Sequence, residues 1–490
     1  MQRPGYSRNE EREYLARGFW RDDDTLWHWL ARHAAERPSA PAVVSPAGLL
    51  TWRALHDRVL RVAQGLKDKG ISAGEVVAVQ LPNTPEFLLV HLALARLGAV
   101  MCTVHLPYRG AEIEAILAHS GAKLFFTAAY PFSELEAPQP LPAEHPAPDA
   151  RDAFLLLYTS GTTASPKAVP HPYRTLLGNS RMGSHEHRLS ARSRILCAAP
   201  LSHLYGFYSL HCAWSVGACT VLLPAYKPDE LAQTVARERP TALWAGPAHV
   251  AACRSAGLLD THDWSSLELA IVSGSIAPPG LMRELAAKLP HCAVTQLWGM
   301  TELQAGLYTR PGDPLELSAT TAGRASPGTE LRLAPDGELQ VRGPLAFSGY
   351  YRNEEATRAA FTGDGWFRTG DLAAERSGHY AITGRSKDII NRGGVKFNPA
   401  DVEALLDAHP QIQQAAMVPM HDAVLGEKAC AFVTLRPGCD APTLDEVVRY
   451  LLAKEIAKNK LPERLVVIPE MPLTPTRKII KSKLRLPEQA

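Results

Sequence analysis

The residues best suited to chemistry form one stretch, Thr159-Ser160-Gly161-Thr162-Thr163-Ala164-Ser165-Pro166-Lys167. An apolar run with strand character, Phe154 to Tyr158, feeds these hydroxyls and small side chains, and a lysine closes them. Such a loop suits a polyphosphate: hydroxyls and backbone N–H groups can wrap the oxygens, and the lysine supplies a point charge. It is not the GxxxxGK[ST] phosphate loop, because Pro166 precedes Lys167 and Ala168 follows it. Taken alone, it is equally a polar turn after a strand.

Four further clusters lie downstream. Pro200-Leu201-Ser202-His203-Leu204-Tyr205-Gly206-Phe207 places a histidine and aromatics after a strand, the edge where open α/β sheets bind ligands. Trp298-Gly299-Met300-Thr301-Glu302 combines a face on which a purine could stack, a hydroxyl, and a carboxylate able to hold magnesium with phosphates. Thr369-Gly370-Asp371 ends a strand-like run with an acid suited to ribose hydroxyls. Gly384-Arg385-Ser386-Lys387 precedes the pair Gly393-Gly394, where backbone can bend or approach a ligand. By composition, the Pro-punctuated basic segment 472–481 is a solvated tail.

The elements that must position these clusters alternate. Strands are expected at 76–81, 99–104 and 123–127, with a helix beginning at Pro85 after Thr84 and ended by Gly98. A second series of strands is expected at 194–199, 219–223, 241–245, 268–273 and 293–297, so the sheet is largely parallel. Residues 133–152, rich in Pro and Ala, read as an exposed connection. Around 322–350 the texture changes to short strands, with Asp336-Gly337 as a hairpin turn between 330–333 and 338–342. After Lys387 a smaller unit is expected, with helices at 401–409 and 444–458 and strands at 413–419, 430–435 and 464–468.

The fold class is therefore α/β: a large N-terminal domain (1–386) of parallel α/β sheets with a small β-rich subdomain. A small α+β C-terminal domain (387–490) follows. A length of 490 residues agrees with more than one core. The composition, 46% apolar and 21% charged with net charge +2, is that of a globular chain and argues against a nucleic-acid or anionic-membrane partner. No stretch reads as a secretory signal or a membrane span. The 8 cysteines form no CxxC pair and suit reduced core thiols in a cytoplasmic protein.

Taken together, from about residue 25 to 485, the motifs resemble the adenylate-forming superfamily: acyl- and aryl-CoA synthetases, adenylation domains of peptide synthetases, and luciferases. The resemblance implies a two-step reaction. A carboxylate attacks the α-phosphorus of ATP to give an acyl-adenylate and pyrophosphate, and a thiol then displaces AMP. It further implies that Thr159, Ser160, Gly161, Thr162, Thr163 and Lys167 wrap the ATP phosphates. Trp298 and Gly299 would carry the adenine stack, Thr301 a phosphate contact, and Glu302 the Mg2+-linked acid. Asp371 and Arg385 would bind ribose, and Gly274 and Ser275 would lie near adenine and the acyl group. Lys387 would be a hinge for a mobile C-terminal domain, Lys478 the adenylation lysine, and Gly393-Gly394 part of the thiol tunnel. His203, Leu204, Phe207 and Gly274 would line the acyl pocket. The family usually has glycine where Ala164 and Ala168 stand, so alanine there is expected to strain or slow the loop if those positions need a positive φ; it also usually has glycine directly before its C-terminal lysine, where this chain has Arg477.

Relatives that take 2-hydroxybenzoates carry Asn where Leu204 stands, which would leave an ortho-hydroxyl unpaired. An apolar aromatic, alicyclic or medium-chain acid is therefore expected. The acceptor is coenzyme A or, alternatively, the phosphopantetheine of a separate carrier protein. A remote alternative is an inactive nucleotide- or acyl-binding protein. The oligomeric state is not legible.

Overall fold

The computed structural model describes residues 6–159, 167–422, 424–474 and 477–486. It contains two largely parallel sheets built from the alternating apolar runs. The first runs in the order Leu124–Thr127, Val76–Gln80, Val100–Thr103, Ala153–Tyr158, Ala168–Pro172. Its first four strands are parallel and the last antiparallel. Ala153–Tyr158 is buried along its whole length, as a strand covered on both faces must be.

The second sheet has nine strands, with Ala293–Met300, Leu269–Ser273, Ala242–Ala245, Arg194–Cys197 and Cys219–Val221 parallel at its centre. Helix Pro85–Leu97 has proline in its first turn and ends on Gly98 at φ +68, a left-handed cap that costs glycine nothing sterically. The helix is buried nearly all round. Among the described residues no helix is long and apolar enough to cross a membrane.

Contacts divide the chain into two compact units. One comprises the residues up to Leu331 together with Val341–Phe367; the other comprises Arg332–Gln340 with the chain from Arg368 onward. In the second unit, strands Phe367–Arg376 and His379–Arg385 form a hairpin, and Ile412–Asp422, Gly426–Leu435 and Arg464–Val467 build a further sheet. Helices Ala400–Asp407 and Leu444–Ala453 pack on that sheet through Val402, Leu406, Val447 and Leu451. The Asp336-Gly337 hairpin lies where expected, between Glu330–Leu333 and Glu338–Arg342.

Two expectations change. The helix begun at Leu444 ends at Ala453, not 458, because Glu455 takes a left-handed φ of +59 that stops it. The 133–152 connection is irregular but held down rather than loose. Leu135 and Leu141 are buried, and the buried Arg96 guanidinium donates to the carbonyls of His145 (2.7 Å) and Pro146 (2.8 Å). The cysteines are free and, apart from half-buried Cys439, buried. Burial pushes the thiols of the buried cysteines up, Cys197 to about 11 and Cys102 to about 12.

Candidate active site

Thr159 and Lys167 face each other at the base of the hydroxyl loop, the Thr159 N–H donating to the Lys167 carbonyl at 2.9 Å. Ser160, Gly161, Thr162, Thr163 and Ala164 lie outside the described residues. Ala168 opens a strand opposite Tyr158 and has extended backbone. The position needs no positive φ, so its alanine is unstrained despite the missing glycine.

The Lys167 ammonium sits 5.3 Å from the ring centroid of Tyr350. The hydroxyl of that tyrosine donates to Glu302 Oε1 at 2.8 Å. Burial and the neighbouring Glu302 carboxylate raise the phenol well above its ordinary range, so it stays a donor. Lys167 and Glu302, far apart in the chain, are thus joined through a residue that the motifs did not single out.

Trp298 and Gly299 belong to the strand Ala293–Met300, and only Thr301 and Glu302 lie in the turn beyond it. A register shift at Trp298/Gly299 accompanies a φ of +64 at Gln304. Glycine is required at 299, since a Cβ there would come to 1.8 Å from the Gln304 carbonyl. Gly306 likewise leaves room for the Trp298 indole, which a Cβ would meet at 2.9 Å. The turn thereby presents a half-exposed indole beside a hydroxyl and a carboxylate.

His203 caps the helix Leu204–Ser215, its Nδ1 accepting from the Tyr205 N–H at 3.2 Å. Leu204 is buried at the first helical position. Phe207 has no exposed surface, and its ring packs on Phe87, His91 and His211. The Tyr205 hydroxyl donates to the Ile271 carbonyl at 2.7 Å, tying the helix start to the strand Leu269–Ser273. Gly274 follows that strand at φ +103 with open space where a Cβ would stand, so backbone conformation and not crowding selects glycine there. Ser275 beyond it is exposed. His105, also missed in the motifs, bonds the Ser202 hydroxyl through Nδ1 at 2.9 Å and stacks 6.3 Å from His203. Burial lowers His105 to about 4, so it is neutral.

In the second unit, Asp371 and Arg385 are direct cross-strand partners, with Arg385 Nε donating to Asp371 Oδ1 at 2.8 Å. The carboxylate is 6% exposed and the guanidinium 46%, so the pair presents its cation to solvent. Asp371 lies within a strand rather than at its end. Lys387 is exposed in a single turn, Ser386–Asp388, directly after that hairpin. Gly393 (φ +59) and Gly394 (φ +87) form the two-residue turn between Ile390–Arg392 and Val395–Phe397, a backbone that requires glycine-like freedom at both positions. Lys478 stands in a tight loop, its N–H bonded to the Thr474 hydroxyl (3.0 Å) and its carbonyl accepting from the Thr474 N–H (2.8 Å). Residues 472–474 and 477–481 are therefore a folded return rather than a solvated tail, with Leu473 bridged to Ile479.

Comparison with known proteins decides what this set of residues belongs to. The model of the AMP-binding enzymes matches residues 30–351, and that of the AMP-binding enzyme C-terminal domain matches 401–478. The chain belongs to the AMP-binding enzyme family. It is 33% identical to the pyochelin synthase PchD of Pseudomonas aeruginosa, covering 97% of this chain and 94% of that one. It is 29% identical to the medium-chain fatty-acid–CoA ligase of Escherichia coli over 97% and 93% of the two chains. Among solved structures, the anthranilate CoA ligase AuaEII in complex with anthranoyl-AMP superposes with a TM-score of 0.87 at 25% identity, covering 95% and 96%. The adenylate-forming fold expected from the motifs is thus present, and ATP-dependent acid adenylation is the chemistry of this family.

Proposed function

We propose that this chain activates an apolar carboxylic acid, aromatic, alicyclic or medium-chain, as its acyl-adenylate and passes the acyl group to the thiol of coenzyme A. The observation that carries the reading is the junction of Lys167 and Glu302 through Tyr350 at the base of the hydroxyl loop. A cation and a carboxylate held together there suit a triphosphate and its divalent ion. A single carboxylate is also the donor set Mg2+ takes when nucleotide phosphates supply the rest. Bound there, Mg2+ would neutralise charge that builds on the phosphates.

The chain's own residues have these roles. Thr159 to Thr163 and Lys167 hold the phosphates, with Thr301 as a further contact; Trp298 stacks on adenine, with Gly299 giving the bulge behind it. Asp371 and Arg385 bind the ribose hydroxyls, and Lys478 brings its ammonium to the charge developing at the α-phosphorus. His203, Leu204, Phe207, Gly274 and Ser275 shape the acid side. Leu204 offers no hydrogen bond to an ortho-hydroxyl, which favours acids lacking one. A domain of residues 387–490 turns about Lys387 between the half-reactions and brings Gly393-Gly394 to the thiol. Buried thiols in every cysteine but Cys439 suit the cytoplasm.

A second acceptor, the phosphopantetheine of a separate carrier protein, is favoured by the likeness to a pyochelin synthase. The test is pyrophosphate exchange across a panel of benzoate-type, alicyclic and medium-chain acids. Thioester formation is then measured with free coenzyme A and with a phosphopantetheinylated carrier. Acid-dependent exchange, with thioester formed on free coenzyme A, is the expected result. Thioester on the carrier alone selects the second acceptor. Absence of exchange with every acid would leave an inactive binding protein.

A further inference from the structure

We propose that Tyr350 is a positioning residue for adenylation, holding the Glu302 carboxylate and the Lys167 ammonium in one arrangement for a nucleotide phosphate and its divalent cation. The proposal rests on the reading of Glu302 as the metal-linked acid. Its basis is the path of the chain around residue 350. The Phe347 N–H donates to the Glu302 carbonyl (2.8 Å) and the Tyr351 N–H to the Ala168 carbonyl (2.8 Å). Residues 347–351 therefore span from the turn bearing Glu302 to the strand that follows Lys167, pinned at both places.

Between the pins, Tyr350 has little freedom. Its N–H donates to the Thr357 hydroxyl at 2.9 Å, and that hydroxyl donates to the Asn353 carbonyl at 2.7 Å. Gly349 stands at φ +150, and a Cβ there would meet the Thr357 methyl at 2.7 Å, so the backbone approaches the helix as only glycine allows. Phe347 flanks the ring edge-on at 4.8 Å. The held ring then does two things: its hydroxyl donates to Glu302 Oε1, and its face receives Lys167. A tyrosine serving only the apolar cluster of Phe347, Phe367 and Phe361 would need neither, and phenylalanine would replace it without effect.

Equilibrium binding of ATP separates the two roles, measured by calorimetry on the full chain with Mn2+ and again in chelator. Tyr350→Phe keeps the ring and removes the donor. Loss of a hydrogen bond to a charged acceptor should weaken Mn2+–ATP about tenfold and change metal-free ATP by less than about twofold. Tyr350→Leu also removes the face under Lys167 and should weaken both. Glu302→Gln should abolish the advantage of Mn2+, and Tyr350→Phe added to it should cost nothing more. The melting temperature of each variant separates these effects from a failure to fold. Tyr350→Phe binding like the wild type, losing affinity equally with and without metal, or multiplying with Glu302→Gln would overturn the proposal. A wild type that binds ATP equally with and without Mn2+ removes the reading of Glu302 beneath it, and the proposal with it.

Discussion

Arg477 occupies a left-handed φ of +63, directly before Lys478. Side chains other than glycine reach that region at a cost of about 1–2 kcal/mol, part of which glycine returns through its greater unfolded-state entropy. Arg477→Gly should therefore shift stability by under about 1 kcal/mol and change adenylation by less than about tenfold. Arg477→Val should flip the loop, since a β-branched residue tolerates the region worst, and should lower pyrophosphate exchange at least about tenfold. Equal rates for Val and Gly would mean that the loop does not govern Lys478. At this scale residue type and motif order singled out Glu302, Asp371 and Lys478, whose proposed roles the exchange and binding measurements address. Tyr350 was not legible, because what marks it is contact with residues 48 and 183 positions away in the chain. Ala168 shows a condition that the sequence left open: the position is extended strand and needs no positive φ, so the missing glycine brings no strain.

Among the elements, the segment around Lys387 is bounded by a side-chain tie within its own unit. Asn398 donates to the Thr383 carbonyl and accepts from the Ala400 N–H at 3.1 Å, while Gly384 leaves room for its amide. The amide thereby joins the end of strand His379–Arg385 to the start of helix Ala400–Asp407. Asn398→Ala should cost about 1 kcal/mol and speed hydrogen exchange at the amides of 383–400; unchanged exchange would show that the tie carries no load. Strand and helix existence followed from apolar periodicity and from Pro and Gly punctuation, so Pro85–Leu97 came out with both ends right. Ends set by a single unusual backbone angle, such as Glu455, have no such signal. Nor does a Pro-rich connection announce that two leucines and a buried guanidinium will hold it down.

Across the whole molecule two sets of buried groups, one in each unit, carry opposite responses to acid. In the first, burial holds His91 and His171 near 3, far below their ordinary 6.5. His91 and His211 share one hydrogen bond between their Nε2 atoms at 3.1 Å. The unfolded chain binds protons there first, so stability is full above pH 6.5 and is lost as pH falls from 6.5 towards 3. In the second, burial and the nearby Glu403 carboxylate raise Asp407 to about 7 from 3.8. It also stands at the C-terminal end of its helix, where the backbone dipole is negative. The folded state holds that proton longer, so stability is greatest below 3.8 and declines as pH rises through 7. Hydrogen exchange between about pH 4.5 and pH 7.5 should show protection around His91 and His171 rising with pH while protection around Asp407 falls. Asp407→Asn should flatten the pH response around residue 407 alone; parallel movement of both regions would contradict the assignment.

The burial of the cysteines has a consequence for self-acylation. An acyl-adenylate reacts with any thiolate that reaches it, whether on the acceptor or on the protein. Thiols such as Cys197, Cys253 and Cys430, pushed to about 11 inside the core, offer neither access nor charge. Only half-buried Cys439 has surface to offer. A protein that makes an activated acyl group in this way keeps the sulfur of its core out of the product's reach.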